Sequence, residues 1–239
     1  MVILSAPRTG SNWLCTLLDS HPEILCHHEI FNPEAIHPSL RYRNGLLDLG
    51  TVENRDRDPL PVLHEVWRHP FGHRIVGFKL CKGQNPRVFE AVLADRGVKK
   101  ILVLRRNRVK TFVSEAVAER TGEWESYPGM EIGRQSVRLE VDPDRLRRHA
   151  ESNQRYYDGL RSQLEAMGQS WLELTYEDLP GHDERRRALD FLGVANHPLS
   201  EATRKQNPRD LREILHNFDA LRAALRGSDL ERELVSRDL

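Results

Sequence analysis

The chain opens on VILSAPRTGSNWLCTLL, residues 2–18, and this stretch decides the fold class. Residues 2–6 form a short apolar run, whereas Trp13, Leu14, Leu17 and Leu18 recur at helical spacing. The pattern predicts a buried strand, a tight loop and a helix. Such a loop directs free backbone N–H groups, together with the positive end of the helix dipole, at one point. We therefore expect an anion to bind there.

The loop itself has the composition of an oxyanion site. Gly10 allows close backbone approach, Thr9, Ser11 and Asn12 offer short polar side chains, and Arg8 offers a guanidinium fork for bidentate contact. The spacing differs from the G-x-x-x-x-G-K-[ST] pattern of the Walker loop. An ordinary capped helix start is the alternative, and the residues favour anion binding over it.

Strand and helix patterns alternate along the rest of the chain, which predicts a parallel sheet flanked by helices. Further strands are predicted at residues 24–26, 74–80, 99–104 and 171–175. Helices are predicted at 86–95, 109–121, 146–167 and 211–225, a long surface excursion at 31–60 and a loop at 122–141. The length of 239 residues fits a single α/β domain spanning residues 1–239.

The composition argues against several classes of function. Lys plus Arg total 36 and Asp plus Glu total 36, so no global field attracts nucleic acid, and no stacking platform of aromatic residues accompanies the basic stretches. No apolar run is long enough for a transmembrane segment, and the N-terminal run lacks the features of a secretory signal, so we expect a cytoplasmic protein. The three cysteines, and the histidines at 64, 69 and 73, lack metal-ligand spacing, so no metal is expected.

Two motifs together resemble the donor-binding elements of sulfotransferases. Arg8 to Trp13 is similar to the loop that holds the 5′-phosphosulfate of 3′-phosphoadenosine 5′-phosphosulfate. Arg106 at a strand end and Ser114 eight positions later resemble the element that holds the 3′-phosphate of that donor. An arginine leaving a strand and a serine in the following helix can converge on one phosphate. The alternatives are a solvated strand end and a helix-face hydroxyl.

The resemblance extends along nearly the whole chain. The segment TYEDL at 175–179 and the basic RKQN at 204–207 both have counterparts in the family. Segments such as HEIFNP at 28–33 look closer to bacterial carbohydrate sulfotransferases of the nodulation-factor and trehalose type than to cytosolic aryl enzymes. The resemblance implies a P-loop-NTPase-like α/β fold.

The family implies a role for each matching residue. The expected donor-binding residues are Arg8, Thr9, Gly10, Ser11, Asn12, Trp13, Arg106, Ser114, Tyr176, Arg204 and Lys205. Trp13 and Tyr176 would contact the adenine, and Arg204 and Lys205 would close over the 3′-phosphate. Core packing is the alternative for the two aromatic residues.

The expected catalytic residues are Arg8, Lys79 and Glu29. Arg8 and Lys79 would supply positive charge to the transferring group, although a surface strand end is an equal alternative for Lys79. Cytosolic relatives place a histidine base two residues after a strand-end lysine, where this chain has Cys81. Sugar-modifying relatives use a glutamate after the second strand, which corresponds to Glu29, with His27 and His28 as neighbouring competitors.

The sequence thus predicts an enzyme that moves a sulfuryl group from the phosphosulfate donor to a hydroxyl of a carbohydrate or glycoconjugate, without a metal. The acceptor would be a small molecule or a glycolipid, and the sequence leaves a homo-oligomer open. Two alternatives remain, an ATP-dependent phosphotransferase and a non-catalytic protein that binds adenosine bisphosphate. The second would be favoured if Glu29 and Lys79 pointed away from the donor loop.

Overall fold

A five-stranded, all-parallel sheet lies at the centre of the computed structural model, which describes residues 1–42, 48–125, 137–200 and 210–236. Its strands are β1 (Val2–Ser5), β2 (Ile24–His27), β3 (Ile75–Cys81), β4 (Lys100–Leu104) and β5 (Trp171–Thr175), in the order β2-β3-β1-β4-β5. Both β1 and β2 are buried at every position, as expected for parallel strands covered on both faces.

Helices connect and cover these strands. The described helices are α1 (Ser11–Asp19), α2 (Val52–Arg57), α3 (Pro59–Arg68), α4 (Pro86–Ala94), α5 (Arg108–Thr121), α6 (Pro143–Ala166), α7 (His182–Leu192), α8 (Phe218–Ala224) and α9 (Asp229–Val235). None of these helices combines the length and the apolarity that crossing a membrane requires.

Alternate residues of the strands supply two cores, one on each face of the sheet. Leu4 and Phe78 face α3, α4 and the later part of α6, whereas Ile3 and Ile101 face α1 and α7. A third cluster joins α5, the start of α6, α8 and α9. The predicted fold class, an α/β fold with a central parallel sheet flanked by helices, is confirmed.

The topology creates a crevice between β1 and β3 at their carboxyl ends. These two strands are adjacent, yet α1 follows β1 on one face and α4 follows β3 on the other. The loops after the two strands therefore diverge and leave a gap between them. Ligands of open α/β sheets bind in such a gap. The Arg8 loop and the end of β3 line this crevice.

Two predictions about local structure are wrong. Residues 31–60 are not only a surface excursion, since Phe31 lies in the core and Arg55 of α2 is fully buried. Arg55 donates a hydrogen bond of 2.8 Å to the Ile30 carbonyl, a partner that sequence patterning cannot reveal.

The predicted helix over 211–225 is interrupted. A 3-10 turn at Leu211–Glu213 precedes α8, because the intervening residues pair with a distant segment. The Leu139 N–H donates to the Ile214 carbonyl and the His216 N–H to the Leu139 carbonyl, both at 2.8 Å. The side chain of Asn217 makes two further hydrogen bonds to the Val141 backbone.

Candidate active site

The loop between β1 and α1 adopts a conformation that requires glycine. Gly10 caps α1 with a φ of 91°, and a Cβ added there would overlap the ring of Tyr176. Arg8 also has a positive φ of 60°, and the Thr9 hydroxyl donates to the Ala6 carbonyl at 2.9 Å. The start of α1 lies beside the crevice, and anion binding at this loop stays a prediction.

The Arg8 side chain is held across this loop. Its Nε donates to the Ser114 hydroxyl at 2.9 Å, and its terminal nitrogen donates to the Trp124 carbonyl. Burial, and then the nearby positive charge of Arg105, lowers the pKa of Arg8. A guanidinium stays charged at any physiological pH, so this concentration of positive charge favours a bound anion.

Lys79, Glu29 and Asn12 meet at the crevice, although three separate elements supply them. The Lys79 ammonium lies 2.6 Å from the Glu29 carboxylate and also donates a hydrogen bond to the Asn12 side-chain oxygen. Lys79 is only 2% exposed, so it is not a surface strand end. Burial alone would lower the pKa of Lys79, but the neighbouring Cys81 and Glu29 together raise it above its usual value.

Glu29 is held as a carboxylate. Its oxygens accept hydrogen bonds from Asn32 at 2.7 Å and Gln84 at 2.5 Å, and the Cys81 thiol lies 3.7 Å away. Burial by itself would raise its pKa, but Lys79 and these donors lower it to about 2. In the unliganded site Glu29 is thus a weak base, and any partner that draws Lys79 away would strengthen it.

The neighbouring histidines are both fully buried. His27 Nδ1 accepts from the Ser39 backbone N–H at 3.1 Å, and burial lowers the pKa of His27 to about 4. Alternation along a continuing strand would turn His28 away from Glu29, but β2 ends at His27. His28 Nδ1 instead lies 3.7 Å from Glu125, which accepts a hydrogen bond from Asn12. His28 therefore borders the same site.

Two aromatic rings line the other end of the loop. Trp13 and Tyr176 meet edge to face with ring centroids 5.6 Å apart, and the Arg105 guanidinium lies 4.6 Å from the Tyr176 centroid. These flat faces lie next to Gly10, where the sequence predicts an adenine.

The two residues predicted to hold the 3′-phosphate make different contacts. Arg106 is exposed and forms a bidentate ion pair with Asp178 at 2.6 and 2.8 Å, whereas Ser114 is buried against Arg8. Their shared phosphate site stays a prediction, and it requires Arg106 to exchange Asp178 for the phosphate. Arg204 and Lys205 lie outside the described residues.

Several residues of the site had no signal in the sequence. Glu125 lies in the predicted loop at 122–141, which has no clear pattern. Asn32 contacts Glu29 within one segment, and Gln84 contacts it because the fold brings the end of β3 next to that segment. Arg105 is one position before the predicted arginine, yet it is the one that lies over Tyr176. In the described part of the chain, no three metal-ligating side chains cluster together.

No protein-family model matches the chain, but individual proteins do. It is 28% identical to nodulation protein H of Rhizobium tropici over 237 residues, which cover 95% of this chain and 89% of that protein. Nodulation protein H of Rhizobium meliloti (strain 1021) is 30% identical over 125 residues, about half of each chain. A crystal structure of a sulfotransferase from Alicyclobacillus acidocaldarius aligns over 97% of both chains at 20% identity, with a TM-score of 0.49.

Proposed function

We propose that the chain is a sulfotransferase related to nodulation protein H, that its donor is 3′-phosphoadenosine 5′-phosphosulfate and that its acceptor is a carbohydrate hydroxyl. The observation that carries this proposal is the buried ammonium of Lys79, which contacts both Asn12 of the loop and Glu29. A positive charge and a carboxylate thus adjoin one anion-binding loop, as sulfuryl transfer to a hydroxyl requires.

The donor would lie along the crevice with its phosphosulfate at the start of α1. The backbone N–H groups of the loop, with Thr9, Ser11 and Asn12, would bind the 5′-phosphosulfate, and Arg8 would neutralise its charge. Adenine would contact Trp13 and Tyr176. Arg106 and Ser114, with Arg204 and Lys205 from the C-terminal part of the chain, would hold the 3′-phosphate.

The chemistry is a single displacement at sulfur. The acceptor oxygen forms a bond to sulfur as the bond between sulfur and the bridging phosphate oxygen breaks, so that adenosine 3′,5′-bisphosphate leaves. Glu29 takes the hydroxyl proton, and Arg8 and Lys79 stabilise the charge on the sulfuryl and leaving oxygens. No bound cation is needed for this charge balance, because the side chains and loop amides supply it.

The ion pair between Lys79 and Glu29 couples donor binding to base strength. The sulfonate oxygens of the donor would give Lys79 a second anionic partner. The ion pair between Lys79 and Glu29 would then weaken. Burial, which favours the protonated form of Glu29, then raises the pKa of Glu29 from about 2 toward its ordinary range. The base would thus become competent only when the donor is in place.

The buried thiols support a reducing compartment, and we propose the cytoplasm. Cys15, Cys26 and Cys81 are all free, and the sulfur atoms of Cys15 and Cys26 lie 3.4 Å apart without a bond. We also retain the proposal of a single catalytic domain over residues 1–239.

A transfer screen tests this function. The purified protein is incubated with donor carrying labelled sulfate and with neutral sugars, lipo-oligosaccharides or phenols, and labelled products are separated. We expect label on at least one sugar and a large loss in the Glu29→Gln variant. Tight binding of adenosine bisphosphate without transfer to any acceptor would instead support a non-catalytic binding protein.

A further inference from the structure

A second group of polar side chains lies beside the donor loop and has no part in the chemistry above. It comprises Lys82 after β3, Glu115 on α5, and His149, Ser152, Asn153 and Tyr156 on α6, and we call it the α6 polar cluster. Its members on α6 recur every three or four residues, so they share one face of that helix. All six side chains are partly exposed.

Hydrogen bonds join the cluster into one network. The Lys82 ammonium donates to the Ser152 hydroxyl at 2.8 Å and to the Asn153 side-chain oxygen at 2.9 Å. His149 Nε2 lies 3.0 Å from the Glu115 carboxylate and 3.3 Å from the Asn153 amide nitrogen. If His149 Nε2 carries the proton that Glu115 accepts, it cannot also accept from Asn153, so that amide retains a spare donor.

The network adjoins the catalytic residues from two sides. Glu115 follows Ser114, which accepts a hydrogen bond from Arg8, and the charge of Glu115 acts on both Arg8 and Lys82. Lys82 follows Cys81, whose thiol lies 3.7 Å from Glu29. An acceptor whose hydroxyl approaches Glu29 would therefore bring its neighbouring groups to this cluster.

Tyr157 fixes α6 against the donor loop. Its hydroxyl accepts from the Ala6 N–H at 2.8 Å and donates to the Val103 carbonyl at 2.6 Å. The position of Tyr156 and Asn153 relative to the loop is thus set by buried hydrogen bonds rather than by surface side chains.

The network is incomplete within the described residues. There, His149 Nδ1 and the Tyr156 hydroxyl are buried atoms without a hydrogen-bond partner, and the Lys82 ammonium donates to the neutral side chains of Ser152 and Asn153. Unsatisfied buried polar atoms cost free energy, and they are common where a ligand completes the bonding. A small shift of the half-exposed side chains would open these atoms to such a ligand.

We propose that the α6 polar cluster is the subsite that binds the sugar ring carrying the reacting hydroxyl, an inference that rests on the proposed function. Each ring hydroxyl both donates and accepts, and the cluster offers Lys82 and Asn153 as donors and Glu115 as an acceptor. The opposite charges of Lys82 and Glu115 balance, which favours a neutral sugar over an anionic one. The Lys82 ammonium lies 5.9 Å from the centroid of the Tyr156 ring, so a sugar bound to Lys82 would also lie near that ring.

Variants of the cluster should raise the acceptor KM without changing donor affinity. The acceptor probes are trehalose, maltose and N-acetylglucosamine, with p-nitrophenol as a flat, non-sugar acceptor. For the best sugar, we expect Lys82→Met and Asn153→Leu each to raise KM about 10- to 100-fold, as the loss of hydrogen bonds from charged or buried groups implies. The affinity for adenosine 3′,5′-bisphosphate, measured by calorimetry, should stay within about twofold.

Gln154→Leu is the matched control, because Gln154 is the next residue on α6 and its side chain contacts Asp158 on the outer face. Its KM should match that of the wild type, and Lys82→Arg should retain most of the sugar affinity. Unchanged bisphosphate affinity also verifies that each variant is folded.

Four outcomes would overturn the inference, the last of them together with the proposed function. The first is an unchanged sugar KM in both Lys82→Met and Asn153→Leu, and the second is an equal rise for p-nitrophenol. The third is a wild-type protein that sulfates p-nitrophenol but none of the sugars. That result would overturn the sugar subsite although the protein still transfers sulfate. A wild type that transfers no sulfate at all would overturn the proposed function itself, and this subsite with it.

Discussion

Glu29 and Lys79 form an ion pair of 2.6 Å inside the crevice, and the proposed chemistry depends on that pair. The sequence predicted both residues, since each follows or ends a strand whose carboxyl end faces the crevice. It did not predict their contact, because β2 and β3 are separated by about fifty residues and the pairing depends on the register of the sheet. Nor did the sequence predict that Asn32 and Gln84 donate hydrogen bonds to the Glu29 carboxylate.

Replacing Glu29 with glutamine should separate binding from catalysis. The amide keeps the size of the side chain and removes its basicity, so turnover should fall by roughly 10²–10⁴-fold while bisphosphate affinity is retained. Steady-state kinetics and calorimetry measure the two quantities. His28→Gln is the control, and a large loss of turnover there, with little in Glu29→Gln, would transfer the role of base to the histidine.

At the scale of elements, the loop between β1 and α1 depends on Gly10. An alanine there must adopt a φ of 91° and also overlap Tyr176, whereas Gly122 at the end of α5 has a similar φ of 73° with nothing near its Cβ position. We expect Gly122→Ala to cost only the backbone strain, about 1–2 kcal/mol.

Gly10→Ala should destabilise the protein more than Gly122→Ala does, because the alanine also overlaps Tyr176 and the loop must move. The same movement should abolish bisphosphate binding. Urea unfolding and calorimetry on both variants provide the comparison. Equal stabilities, with bisphosphate affinity intact in both, would mean that the loop does not need its observed conformation.

The end of β2 should make the protein sensitive to mild acid. Burial lowers the pKa of His27 to about 4, below its ordinary value of 6.5, so between these values the unfolded chain binds a proton that the folded protein excludes. The contribution of His27 to the free energy of unfolding is therefore fully present above pH 6.5. It is lost as the pH falls toward 4, and the loss is about 3 kcal/mol.

His27→Gln should remove most of that decline, since the amide oxygen can still accept from Ser39. Urea unfolding at pH 7.5 and pH 4.5 measures the difference, with the exposed His64→Gln as control. An unaltered pH dependence in His27→Gln would show that other groups cause it.

The strands were predictable to within about one residue at each end, because parallel strands are continuous apolar runs between loops. The segment over 211–225 was not, since its apolar spacing suits a helix while the pairing of Leu215 with Leu139 breaks it. The burial of Arg55 was not predictable either, because a charged residue is buried only when the fold supplies its partners. The strand-end arginine over Tyr176 depends on β5 lying beside β4, which no local pattern encodes.

At the scale of the whole molecule, the donor should stabilise the fold through both of its phosphates. Adenosine 3′,5′-bisphosphate should raise the melting temperature more than AMP at equal concentration, because on the proposed account only the bisphosphate would reach Arg106 and Ser114. Arg106→Ala should reduce the shift toward that seen with AMP. Equal shifts for the two nucleotides in the wild type would contradict a 3′-phosphate site.

The most direct test of the account is a single-turnover reaction in excess chelator, with the enzyme above the concentration of donor that carries labelled sulfate. Labelled sugar and free adenosine 3′,5′-bisphosphate are both measured over time. We predict that the two appear together in a one-to-one ratio, since one displacement produces both. Bisphosphate released with free sulfate and no labelled sugar, or transfer that occurs only after magnesium is added, would contradict the account.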